Sequence, residues 1–208
     1  LFQKQTILEK DMYLEKSKIY FSVIIIIILL QSNIVNSKNA DDIKLDIKNY
    51  LKEIKNFSSS FIENNNNSIS EGNIYIGNER VRVDYNSPVK ILLTIGAKKA
   101  MYHNIDLQET EFFDPRRTPA WFFFDIFKNK NFIERSEFFF NENQVRITKS
   151  SVFDDKEYLI NIFFEYKPIN LRKISLKSDE GEIFLSFFNH NYYSTFDRKF
   201  FRLIPPKP

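Results

Sequence analysis

Imidazoles are the side chains best suited to acid–base chemistry or metal ligation near neutral pH, and this chain has two, His103 and His190. They fall in separate predicted hairpins, with no ligand spacing around either one. Both read as ordinary strand or turn residues. The carboxylates Asp106, Glu109 and Glu111 are grouped closely enough to hold a cation, but such a group in a polar stretch is more simply a solvated loop. Arg116 and Arg117 could meet an anionic head group. As a solvated pair ahead of a helix they need no such role. The chain carries no GxSxG, HExxH, Walker or Rossmann pattern. Its glycines, Gly72, Gly77, Gly96 and Gly181, stand singly at turns and strand edges, so no phosphate-cradling loop is available. Cysteine is absent, which excludes disulfides, thiolate metal sites, Cys nucleophiles and lipid attachment through Cys. The expectation is therefore no catalytic residue, no metal, no cofactor and no enzymatic activity.

The conspicuous surplus is apolar. Twenty-three Phe and ten Tyr exceed ordinary usage in 208 residues. They either fill a large core or line an apolar cavity. Net charge is +3 with both signs interspersed, which is not the basic stripe of a nucleic-acid binder. One chain of this length suits a single domain.

The elements that would position these side chains begin after an address segment. Residues 19–30 (IYFSVIIIIILL) form a short apolar run behind Lys16 and Lys18, and polar NSKNADD follows. The run is shorter than the roughly 20 residues of a membrane span. Its flanks fit a secretory signal peptide over residues 1–37, with Val35 and Ser37 at the small positions before cleavage and Ala40 as a second exit. Met12 reads as the start, leaving residues 1–11 upstream. Residues 38–208 are then one near-neutral exported domain.

Ile43, Ile47, Leu51, Ile54 and Phe57 recur at steps of four and three, predicting an amphipathic helix over 41–57. The Asn-rich stretch 58–67 reads as a loop. Strand signals follow at 73–76, 80–85 (RVRVDY, strictly alternating), 91–95, 99–103, 144–149, 157–166, 171–178, 182–189 and 198–203. Asp179, Glu180 and Gly181 turn one antiparallel pair. Residues 118–127 (TPAWFFFDIF) predict a short helix, apolar nearly all round, which must be surrounded by apolar partners. The run Phe138 to Phe140 reads as core. The fold class expected is mainly β (α+β), an antiparallel sheet with one apolar face that the two helices cover.

Five segments occur in a telling order: GNIYI (72–76), RVRVDYNSP (80–88), ILLTIGAKKAMYHNIDLQE (91–109), TPAWFFFDIF (118–127) and DRKFFRLIPP (197–206). In that order and spacing, behind a signal peptide, the chain resembles the LolA family of periplasmic outer-membrane lipoprotein carriers. The resemblance implies an incomplete antiparallel β-barrel with helices covering its concave apolar face. It implies a monomeric chaperone that takes acylated lipoproteins from an inner-membrane lipoprotein-releasing ABC transporter and delivers them to an outer-membrane acceptor. Carried over, the lipid-binding cavity and lid would comprise Ile74, Ile76, Val81, Val83, Tyr85, Leu93, Met101, Trp121, Phe122, Phe124 and Phe127. Relatives often carry Arg-Pro after the first strand, where the Arg latches the lid. Here Gly77, Asn78 and Glu79 stand in that place, with Arg80 as the substitute latch. The lipid-anchored acceptor of the same fold needs a Cys that this chain lacks. A same-fold sensor or carrier of another lipid is the alternative reading.

Overall fold

The structure is a computed structural model that describes residues 40–65, 68–77, 79–129, 131–197 and 199–206. The signal-peptide reading of residues 1–37 lies outside the described residues. Helix α1 (Ala40–Glu53) opens the fold, with Asp41 and Asp42 in its first turn and Lys52 in its last, both favourable to the helix dipole. Six strands follow: β1 (Phe57–Asn64), β2 (Ile69–Ile76), β3 (Val81–Ser87), β4 (Ile91–Ile95), β5 (Ala100–Asn104) and β6 (Glu109–Phe113). An excursion with a 3-10 turn, helix α2 (Trp121–Lys128) and a second 3-10 turn leads to β7 (Glu137–Asn141). Strands β8 (Gln144–Phe153), β9 (Lys156–Glu165), β10 (Asn170–Ser178) and β11 (Gly181–Asn191) complete the sheet.

All eleven strands form one sheet in the order β6-β5-β4-β3-β2-β1-β11-β10-β9-β8-β7. Two antiparallel meanders, β1 to β6 and β7 to β11, join where β11 lies against β1. The sheet is open: β6 and β7 are its two edges, each with a single hydrogen-bonded neighbour. This corrects the incomplete barrel expected from the sequence. Among the described residues the fold is a mainly-β sheet with two α-helices, neither closed nor strongly curled. Hairpin signals report which strands are neighbours, whereas closure depends on tilt and stagger that no local signal encodes.

Other boundaries also move. The predicted loop 58–67 is mostly strand β1, and Phe57 opens that strand instead of ending the helix. Its Ser run hides the alternation Phe57, Ser59, Phe61, all buried. Glu109 and Glu111 belong to β6, not to a solvated loop. The strand expected over 198–203 is turn and bend among its described residues. Phe138 to Phe140 lie in the edge strand β7, where Phe138 packs against the core while Phe139 is 45% and Phe140 47% exposed.

One sheet face carries the core. Register aligns Phe57 with Ile76, Ile76 with Val81, and Val81 with Ile95 on one half. On the other half it aligns Val145 with Phe164 and Ile147 with Ile162. Ile43, Ile47 and Leu51 of α1 and Phe122, Phe123, Ile126 and Phe127 of α2 join the same buried cluster. Both helices therefore cover this face, and Ala40–Pro208 forms one compact unit.

Candidate functional site

The residues expected to line a cavity divide by position. Ile74, Ile76, Val81 and Val83 are fully buried on the helix-covered face. Tyr85 and Leu93 are partly buried against the same cluster, as is Phe124. Phe122 and Phe127 are buried on α2, while Trp121 is half-buried and stacks on Phe124 at 4.8 Å between ring centroids. Met101 is separated from the rest. Ala100 takes the inward position on β5, and Met101 pairs with Thr94 on the opposite face.

Arg80 lines a small pocket together with Phe124 and Lys128 of α2. Its guanidinium donates to the Phe201 carbonyl, and Arg82 donates to the Phe200 carbonyl at 2.8 Å. These bonds hold the C-terminal segment, whose Phe200 ring packs edge-on to Tyr75. The ties that fasten α2 come from residues that sequence reasoning passed over. Lys128, at the end of α2, donates to the Gly77 carbonyl. Asp125, in the middle of the apolar helix, is 6% exposed. It accepts from Lys149 of β8 at 2.7 Å and from Asn129 at 2.6 Å. The Lys149 ammonium also lies 4.3 Å from the centroid of the Phe132 ring.

Between α1 and α2 runs a cleft of about 520 Å³. Leu45, Leu51, Ile54, Ile126, Phe127 and Ile133 supply apolar walls. Lys48, Lys52, Lys55 and Lys128 line it too, against the single carboxylate of Glu134. Lys48 is paired with that carboxylate, tying α1 to the 3-10 turn after α2. Lys52 and Lys55 are exposed and have no acidic partner among the described residues. Of the expected cavity residues, Phe127 alone lines this cleft. The volume lies within the ~300–1,000 Å³ usual for a site holding one small ligand.

Burial lowers the Lys128 ammonium from its ordinary 10.5 to about 8. Below about pH 8 the group is charged in both folded and unfolded chains, so the folded state bears the full desolvation cost. Between about 8 and 10.5 the folded chain sheds its proton first and the unfolded chain binds more protons, so this group makes stability rise with pH across that window. Lys128→Met should remove that rise. Urea unfolding of both proteins at about pH 7 and about pH 10 checks it, and an unchanged difference between the two pH values would count against the assignment.

The histidines are tied into the fold. His190 Nε2 donates to the Leu171 carbonyl at 2.7 Å and Nδ1 pairs with the Ser59 hydroxyl at 2.8 Å. His103 Nδ1 pairs with Thr110 at 2.9 Å, and its Nε2 is buried without a partner, like the nearby Thr94 hydroxyl. Among the described residues no three His, Cys, Asp or Glu side chains could jointly hold a metal ion. Arg116 is held by Asp114, and Arg117 by Asp154 at 3.5 Å.

No protein-family model and no characterised protein sequence matches the chain. Three solved structures align with the chain at low similarity. The Pseudomonas aeruginosa MucA/MucB complex aligns with a TM-score of 0.44 at 11% identity, over 77% of this chain and 60% of that one. MucB in complex with MucA(peri) aligns at 0.42 and 12%, over 79% and 59%. A DUF1329 family protein from Desulfovibrio piger ATCC 29098 aligns at 0.40 and 7%, over 77% and 96%. The chain thus spans about 60% of the two MucB-containing matches.

Proposed function

We propose that this chain is a periplasmic, non-enzymatic carrier that shields the acyl chains of lipoproteins. In this reading it receives them from an inner-membrane releasing transporter and passes them to an outer-membrane acceptor. The observation that carries this reading is the apolar-walled cleft between α1 and α2. Burying an acyl chain is worth about 0.8 kcal/mol per CH₂, so each methylene laid against the apolar wall of the cleft adds to its retention. The signal-peptide pattern of residues 16–37 and the LolA-like order of motifs support export and the choice of cargo.

The test avoids the buried face. Val83 is fully buried, so a charge there would report on folding instead of cargo. Leu45 lines the cleft yet is 55% exposed. Leu45→Glu should leave the thermal midpoint unchanged and cut lipoprotein release from spheroplasts by about tenfold, as expected for about 1.4 kcal/mol of lost binding. Wild-type protein that releases no lipoprotein would overturn the reading, as would robust turnover of ester or glycosidic substrates.

A further inference from the structure

We infer that the cleft between α1 and α2 selects an amphiphile with one acyl chain and an anionic head, either a fatty-acid carboxylate or a lysophospholipid phosphate. The inference rests on the cleft of the carrier reading and goes beyond it, giving that cleft a single-chain cargo in place of a triacylated lipoprotein. Leu45, Leu51, Ile126 and Phe127 take the chain. Lys52, Lys55 and Lys128 take the head.

Charge is the first argument. Four lysines face one carboxylate across the cleft, and that carboxylate is already spent on Lys48. Three ammonium groups remain beside an apolar wall. A neutral head would leave all three unmatched, whereas an anion receives charge-assisted hydrogen bonds from them. Lysine suits this work because its ammonium is a mobile point charge that follows an oxygen wherever the chain seats it.

The state of Lys128 is the second argument. Its ammonium is half-buried and rests on a neutral carbonyl, Gly77, with no carboxylate bonded to it. Around it stand Lys48, Lys52, Lys55 and Glu134 on the cleft side, and Glu79, Arg80, Lys98 and Lys99 on the other. Desolvation is what depresses its proton affinity. An incoming anion supplies the missing opposite charge and restores the protonated form. Size is the third argument. About 520 Å³ is a one-ligand volume, which favours a single chain over the three of a triacylated lipoprotein.

Calorimetric titration of the purified protein with palmitate, palmitoyl lysophosphatidylglycerol and hexadecanol, each below its aggregation threshold, tests this. At least one anionic probe should bind about tenfold tighter than the alcohol. The tighter of the two anions identifies carboxylate or phosphate as the head. Lys52→Glu combined with Lys55→Glu changes only exposed side chains, so the fold should persist by circular dichroism. That variant should lose the anionic preference and keep its hexadecanol affinity. Equal binding of all three probes, or a preference untouched by the charge reversal, would overturn the inference while leaving an acyl carrier in place. Binding of a triacylated lipopeptide without binding of any single-chain probe would do the same. Absence of binding by every probe would remove both readings.

Discussion

Asp125→Ala should lower the unfolding free energy by about 3–5 kcal/mol, read as a shifted urea midpoint at constant slope. The size follows from what is left behind. Asp125 and Lys149 are both largely buried, with side-chain exposures of 8% and 15%, and they meet at 2.7 Å. Truncating the carboxylate strands the Lys149 ammonium on the inward face of β8, beside the Phe132 ring and without its carboxylate. Asn129 loses its acceptor in the same step. The intact pair need not be stabilising to the same extent, because two desolvated charges repay much of their attraction to water. Asp125→Leu combined with Lys149→Met should therefore recover most of the loss. A single-variant loss under about 1 kcal/mol would mean that both charges reach solvent, as surface pairs do. The location gives the effect its interest. Helix α2 lies in the one connection that runs between the two opposite edges of the sheet, β6 and β7. A pin at its midpoint fixes where that crossing rests, and hence the wall it presents to the cleft.

That pin shows where sequence legibility ends. The strand over 144–149 was readable, and its alternation Val145, Ile147, Lys149 is plain once register is known. Without register, a lysine in third place looks like a strand turning to solvent. Asp125 was likewise visible as the odd residue in WFFFDIF, but nothing local pairs it with a residue 24 positions on. Helix α1 was legible because four-residue spacing of Ile43, Ile47 and Leu51 is a local property. The same spacing places Lys48 and Lys52 on neighbouring turns, which a sequence reader assigns to a solvated face. They become part of a site when α2 is laid alongside, a tertiary fact. Pairing of neighbours followed from turns such as 179–181, whereas the openness of the sheet did not. At Arg80 the motif position suggested a lid latch, and its bond to the Phe201 carbonyl, made while it lies beside Phe124 and Lys128, was not visible locally.

A second large loss is expected at Phe61, in the strand that composition disguised as a loop. Phe61 is 1% exposed, and its ring lies over Gly72 on β2 while meeting Tyr85 edge-on at 5.2 Å. Phe61→Ala should cost about 3–5 kcal/mol, the usual range for a buried aromatic truncated in a packed core. Gly72→Ala should also be costly. A Cβ there would stand 2.7 Å from the Phe61 ring and 2.3 Å from the Asp84 carbonyl oxygen. Overfilling of this kind costs about 1–3 kcal/mol, and the upper end is expected because main chain cannot rotate away. The double variant separates the two contacts. If the ring were the obstacle, truncating Phe61 would make room and Gly72→Ala would become harmless. The carbonyl is nearer and stays in place, so the two losses should come close to adding in urea unfolding. Full rescue of Gly72→Ala by Phe61→Ala would instead show that β2 and β3 can part locally. In that case glycine at this position serves the aromatic ring above it and not the close approach of the two backbones.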